Sequence, residues 1–199
     1  MSSTSRMSFF NSAYLGSPPW DIGRPQGEFV RLAEEGLVKG EVIDLGCGTG
    51  ENALMFASRG SRVLGIDSAP LAIAKAKRKA QERGSHAEFL VADALELSSI
   101  RRSFDVATDC GLFHTFSDAG RRAFEASLKG ALRMGGRYFM LCFSDREPSD
   151  WGGPRRITKA EILRTFRGGW KVDSIRAARF ESSHLGDGGH AWLASLTRA

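Results

Sequence analysis

Three glycines stand two residues apart in the segment EVIDLGCGTGENAL: Gly46, Gly48 and Gly50. They separate a short apolar run from an amphipathic one, the order of a strand, a tight loop and a helix. Glycines at such a turn let the backbone bend sharply and come close to a ligand, and the helix that follows offers free N–H groups to an anionic group. The next apolar run ends in Asp67, 21 residues after Gly46, where a carboxylate accepts hydrogen bonds from both ribose hydroxyls. Loop, helix and distal carboxylate in this order point to an adenosine-type cofactor. The spacing is GxGxG, without the later glycine that packs a helix over a dinucleotide pyrophosphate. Glu51 and Asn52 follow instead, and a negative charge at Glu51 opposes a pyrophosphate. A nicotinamide-dependent oxidoreductase, which shares the loop and the ribose carboxylate, is therefore the secondary reading.

The elements that position these residues alternate. Strands are expected over 41–45, 61–67, 87–92, 104–109 and 137–143, with helices over 51–59, 69–83 and 118–132 between them. Thr158 opens a further helix, with Glu161 three residues on as a capping box. The stretches 170–180 and 190–197 read as a terminal hairpin turning at LGDGG. Strand–helix alternation with short links predicts an α/β fold, a parallel sheet with helices on both faces, and the hairpin adds an antiparallel strand at its end. Residues 1–40 precede the first strand and are read as helical around 7–15 and 26–36.

Composition sets the outer bounds. The 199 residues are 42% apolar, enough for one domain with a substantial core. Three dispersed cysteines (Cys47, Cys110, Cys142) and four histidines form no CxxC or Cys/His cluster, so neither a disulfide framework nor a metal site is expected. No apolar run approaches the roughly 20 residues of a membrane span, and MSSTSRMS lacks a signal core, so a cytoplasmic setting is the expectation. The net charge of +5 is spread as separate arginine pairs, thinner than a nucleic-acid footprint.

On DLGCGTG (44–50), GID (65–67), VADAL (91–95) and DCGLFH (109–114), the chain resembles the class I S-adenosylmethionine-dependent methyltransferases over nearly its whole length. The resemblance implies a Rossmann-like, seven-stranded, mostly parallel sheet with an antiparallel last strand, and a single domain. It implies that Asp44, Gly46 and Gly48 hold the methionine part of S-adenosylmethionine, Asp67 the ribose, and Asp93 with Ala94 the adenine amino group. Thr49, Gly50, Asn52, Ser68, Asp109 and Cys110 complete the expected cofactor set. A narrower resemblance lies in PPWDIGRPQ (18–26), GLFHTFSD (111–118) and CFSDREP (142–148). These segments are similar to the thiopurine, thiol and halide methyltransferases and to small bacterial heterocyclic-toxin methyltransferases. There the leader (1–40 here) acts as a helical lid over the cofactor, which places Trp20 near the sulfonium, an aromatic face toward a cation, with Arg24 beside it.

Methyl transfer from a sulfonium needs positioning of the acceptor and exclusion of water, and a general base only where the acceptor arrives protonated. His114, just past the fourth strand, is the candidate to deprotonate or orient the acceptor, with an ordinary pKa of roughly 6.5. Phe10, Tyr14, Phe113, Phe143, Asp145, Trp151 and His184 are the candidate acceptor contacts. DCGL in place of the DPPY or NPPY of amino-methylating nucleic-acid enzymes argues against DNA or RNA as partner. The expectation is methyl transfer to a small aromatic or heterocyclic hydroxyl, thiol or ring nitrogen, in detoxification or secondary-metabolite tailoring, by a monomer or homodimer. A halide or small-thiol methyltransferase and a non-catalytic cofactor-binding protein are the alternatives.

Overall fold

The computed structural model describes residues 3–148 and 153–199. After helices α1 (Ser3–Ala13) and α2 (Gly27–Glu34), strands and helices alternate: β1 (Glu41–Leu45), α3 (Glu51–Ser58), β2 (Arg62–Asp67), α4 (Pro70–Glu82) and β3 (Glu88–Val91). There follow β4 (Phe104–Cys110), α5 (Asp118–Ala131), β5 (Leu132–Phe143), α6 (Lys159–Thr165), β6 (Trp170–Ser182) and β7 (Leu185–Arg198). They form one seven-stranded sheet in the order β3-β2-β1-β4-β5-β7-β6. The central pairings are parallel, and β7 runs antiparallel to both β5 and β6.

Val42, Ile43 and Leu45 of β1 are fully buried because apolar layers cover the sheet on both sides. One layer packs Phe113, Phe124, Leu128, Ile162 and Phe166 under α5 and α6. The other packs Phe29, Phe56, Ile73 and Ala76 under α2, α3 and α4. Helix starts are set by local chemistry. Pro70 opens α4, the Ser117 hydroxyl accepts from the Gly120 N–H, and Thr158 and Glu161 form the expected capping box on α6. The strand order reverses between β1 and β4, so the loops after these two strands diverge and leave a crevice at their carboxyl ends.

The hairpin differs from expectation. Its turn is Ser183–His184, between the paired residues Ser182 and Leu185, and LGDGG belongs to β7. A Cβ on Gly189 would stand 2.6 Å from the Phe143 ring. The glycine is there for close packing inside a strand, not for a turn.

Candidate active site

At the end of β1, Asp44 is 1% exposed. Its Oδ1 accepts from the Thr108 hydroxyl at 2.7 Å, and its Oδ2 has no hydrogen-bond partner. Burial pushes the carboxyl up to about 7, with Asp109 and Asp67 adding to the rise, against the Thr108 bond and a smaller effect of the Ala53 backbone N–H. A buried carboxylate oxygen without a donor, facing a crevice, is a seat for a cation.

Beyond it the glycine loop turns back along β2. The Gly48 N–H donates to Asp67 Oδ2 at 2.9 Å, and the Ala69 N–H to Asp67 Oδ1 at 2.8 Å. Burial raises the Asp67 carboxyl, and these N–H groups counter part of the rise. A Cβ on Gly48, which has φ +55°, would lie 2.8 Å from the Tyr14 hydroxyl. Only a glycine leaves room for that approach.

The leader lies over this loop. Trp20 Nε1 donates to the Tyr14 hydroxyl at 3.0 Å, and Phe10 meets the Trp20 ring edge-on at 5.8 Å. Tyr14 packs with Ala69 and Ala72. The Leu71 N–H, in the first turn of α4, donates to Asn11 Oδ1 at 3.0 Å. Thr49 donates its hydroxyl proton to Asp21 at 2.7 Å, and the Gln26 N–H donates to Asn52 Oδ1 at 3.0 Å. At its far end the leader is tied to β6. Gln26 Nε2 donates to the Glu181 carbonyl at 2.8 Å, and the Glu181 N–H donates back to Gln26 Oε1 at 2.9 Å. The Gly27 N–H donates to the Glu181 carboxylate at 3.0 Å, which also pairs with Arg24. Between leader and loop remains a cavity of about 70 Å³ bordered by Tyr14, Trp20, Arg24, Asp44, Gly46, Gly48, Thr49, Gly50, Asn52, Cys110 and Phe180. That is well below the ~300–1,000 Å³ of small-molecule sites.

The expected cofactor residues of the leader, the glycine loop and the β4 end thus meet at one cavity with Tyr14. Asp67, Ser68, Asp93 and Ala94 do not border it; Tyr14 stands over Gly48, and Asp93 caps its own turn by accepting from the Leu95 N–H at 2.9 Å. Tyr14, expected among the acceptor contacts, lies at this cavity against the glycine loop. Asp109 is a correction. It is 0% exposed and accepts from the Leu112 and Phe113 N–H groups and the Tyr138 hydroxyl at 2.7, 3.0 and 2.9 Å. Both oxygens are engaged, by the turn after β4 and by Tyr138 of β5. Glu51 is another: its carboxylate is paired with Lys79 and Arg83, so its charge is balanced locally and does not repel an anion as expected.

On the β4–β5 side, His114 stacks on Phe143 at 5.1 Å and lies 5.8 Å from Phe180, which itself borders the cavity. The Phe143 N–H donates to His114 Nδ1 at 3.1 Å. Burial, then the nearby Arg121 charge, pulls the imidazole down to about 3. The neutral ring has one lone pair, that pair is engaged, and its proton sits on Nε2. His114 is therefore a donor at neutral pH and not a poised base. Phe113 is 0% exposed in the α5–α6 core, Asp145 accepts from Trp192 Nε1 at 3.1 Å, and His184 is an exposed turn residue. None of these three borders the cavity. Trp151 lies outside the described residues. Sequence reasoning missed Asp21, Gln26, Cys47, Phe180 and Glu181. Asp21 and Gln26 sit inside the PPWDIGRPQ segment and are legible there; nothing local marks Phe180 and Glu181, which arrive on β6 from the far end of the chain.

Among the described residues, no group of three or more His, Cys, Asp or Glu side chains is arranged to hold a metal ion, and no helix is long and apolar enough to cross a membrane. Residues 42–136 match the family model described as a methyltransferase domain. The chain is 36% identical over 189 residues to 2-heptyl-1-hydroxyquinolin-4(1H)-one methyltransferase of Mycobacteroides abscessus, covering 90% of this chain and 82% of that protein. Among solved structures, it is similar to one from work on the conversion of a disulfide bond into a thioacetal group during echinomycin biosynthesis. That structure has a TM-score of 0.87 and 35% identity, covering 96% of this chain and 91% of the other. The fold also matches 1,6-didemethyltoxoflavin-N1-methyltransferase of Burkholderia thailandensis, with a TM-score of 0.74 and 20% identity over 99% and 88% of the two chains.

Proposed function

The chain belongs to the class I S-adenosylmethionine-dependent methyltransferases, and we propose that it methylates a small planar aromatic or heteroaromatic molecule at a hydroxyl, thiol or ring nitrogen. The observation that carries this reading is the stack of His114, Phe143 and Phe180 beside the cavity. It gives a flat acceptor an aromatic wall. The relatives act in the same direction: one is named for a hydroxyquinolone, and one fold neighbour for a toxoflavin precursor. Membership of the family removes the nicotinamide alternative.

S-adenosylmethionine, when bound, supplies a methyl group on a sulfonium that departs with the C–S electron pair. The residues present fit that cofactor. Asp44 Oδ2, buried and unpaired, would take its ammonium, the Gly46–Gly50 backbone would lie along its amino-acid tail, and Asp67 would take the sugar hydroxyls. Asp93 and Ala94, which follow β3, would meet the adenine. Trp20 faces the loop from the leader, where its ring attracts positive charge. Since the cavity is about 70 Å³ and the Tyr14 hydroxyl lies against Gly48, the leader acts as a lid that shifts to admit the cofactor and then excludes water. His114 orients the acceptor and does not deprotonate it, so the acceptor attacks as an anion or as a neutral ring nitrogen.

The test is a radiolabelled methyl-transfer assay over phenols, thiols, hydroxyquinolones and N-heterocycles. Transfer to planar heteroaromatics above simple thiols and halides is expected. Transfer to halide or aliphatic thiol alone would overturn the acceptor assignment.

A further inference from the structure

Arg121 is a charged residue that the mechanism leaves unused. It comes from the first turns of α5, is 2% exposed, and points inward at the carboxyl edge of the sheet, where the starts of α5 and α6 converge. Its Nη1 donates to Glu161 Oε1 at 3.0 Å. Glu161 in turn is fixed by the Thr158 N–H and hydroxyl and by Arg155. Against the effect of burial, these partners hold its carboxyl down to about 2. The guanidinium plane lies over the Phe113 ring, 5.2 Å from its centre. One edge of the group is thereby locked in place.

The opposite edge is empty-handed. Arg121 Nε and Nη2 are both buried, and neither has a hydrogen-bond partner. These two nitrogens form the side-on fork of the guanidinium, two parallel N–H donors whose spacing matches the two oxygens of a carboxylate. Native proteins leave few buried donors unpaired, and a complete fork left unpaired on a rigidly held arginine is a recognition feature more than a packing accident. Its charge is close enough to act on His114 and on Cys142 of β5, so the fork belongs to the same edge as the acceptor wall. Phe180 borders the cofactor cavity and lies 5.8 Å from His114, and the Arg121 charge in turn acts on His114.

We infer that the Nε–Nη2 fork of Arg121 binds a carboxylate carried by the acceptor, distal to the atom that receives the methyl group. This rests on the acceptor side proposed above, and it narrows that class to planar molecules bearing an acid group. The nearby negative charges do not already serve the fork: Glu161 is on Nη1, and Asp118 stands 3.8 Å from the same Nη1.

The experiment measures binding by calorimetry to the protein saturated with S-adenosylhomocysteine, using quinolin-4-ol and its ring-carboxylate isomers as matched probes. The expected result is at least one isomer binding about tenfold or more tighter than the parent, as a bidentate charge-assisted pair provides. In Arg121→Lys, which keeps a cation for Glu161 but lacks the fork, that advantage should fall below about threefold while the parent's affinity holds. Equal affinity of parent and all isomers in the natural protein would overturn the inference without reliance on any variant, and so would an advantage that survives in Arg121→Lys. Because binding is read apart from turnover, a failure of methyl transfer to any planar acceptor counts against the proposed function and is scored separately.

Discussion

Replacing Asp44 by asparagine should move stability and cofactor binding in opposite directions. The Asp44→Asn variant keeps the size of the side chain, and its amide oxygen can still accept from the Thr108 hydroxyl, so the packing of β1 against β4 is retained. What it loses is the charge on an oxygen that has no protein donor. Hydrogen bonds to a charged group contribute about 1.5–3 kcal/mol, so S-adenosylhomocysteine should bind about ten- to hundredfold more weakly. The apo protein should gain. The Asp44 pKa is raised from 3.8 to about 7, chiefly by burial, so the folded state takes up a proton more readily than the unfolded chain. The stability linked to that proton is complete below the unfolded pKa and is lost as pH rises through about 7, leaving a desolvated charge in the fold at higher pH. Asparagine carries no such charge, and at pH 8 the variant should melt above the natural protein. The cofactor's ammonium requires the ionised carboxylate, so in the natural protein affinity should drop about tenfold per pH unit well below 7 while the variant shows no such slope. Calorimetric titration between about pH 5.5 and 7.5, with melting curves of the apo proteins, checks both halves. Undiminished binding of S-adenosylhomocysteine by Asp44→Asn would refute the placement of the ammonium. Joint loss of stability and binding would refute the claim that Asp44 is a strained and waiting charge.

Three further outcomes are expected. Gln26→Ala removes two hydrogen bonds between the leader and Glu181, about 1–3 kcal/mol together, and should raise the dissociation rate of S-adenosylhomocysteine in stopped flow by roughly five- to a hundredfold; an unchanged rate would mean that the leader is not the gate. Asp109→Asn places an amide among three donors that a carboxylate accepts, and should lower the melting temperature through a loss of about 3 kcal/mol or more; a melting temperature within error of the natural protein's would contradict its structural role. His114→Gln should leave the shape of the pH–rate profile between about pH 6 and 9 unchanged, because the imidazole titrates at about 3 and is neutral throughout; an inflection near neutrality that vanishes in this variant would restore His114 as a base.

The parts of the site that are legible in the sequence are those in which one local segment does the work. GxGxG forces a turn whose backbone must lie close to something, and Asp67 must end the neighbouring strand because β1 and β2 pair in register from Glu41 with Arg62 onward. Strand boundaries follow from apolar runs that are buried on both faces, as in Val42–Leu45. Polar side chains at the strand ends are a different matter. Asp44 and Asp109 sit at corresponding places, one near the close of β1 and the other near the close of β4, and both are raised to about 7 by burial. From composition and spacing they are equivalent. They part company through their donors: Asp109 meets two backbone N–H groups and a tyrosine brought by β5, whereas Asp44 has the Thr108 hydroxyl and a weak backbone contact from Ala53, and its Oδ2 has no hydrogen-bond partner. The carboxylate with its donors complete holds the fold, and the one left short is the one proposed to take the cofactor's ammonium.

The same accounting separates the arginines. Arg121 and Arg155 are both near the start of α5 and share Glu161, yet Arg155 is 46% exposed at its side chain and finds both Asp118 and Glu161. Solvent would pair any donor Arg155 left over, so its ion pairs say little about function. Arg121 has no such recourse, and its two free nitrogens persist only because Glu161, Phe113 and the α5 backbone hold the guanidinium where it is. The two groups proposed here to meet ligands are marked by the partners they lack, and that is a property of tertiary placement that no residue type or spacing encodes. On the readings proposed above, Asp44 and Arg121 are complementary: an anion that would take the cofactor's ammonium, and a cation that would take a carboxylate of the acceptor.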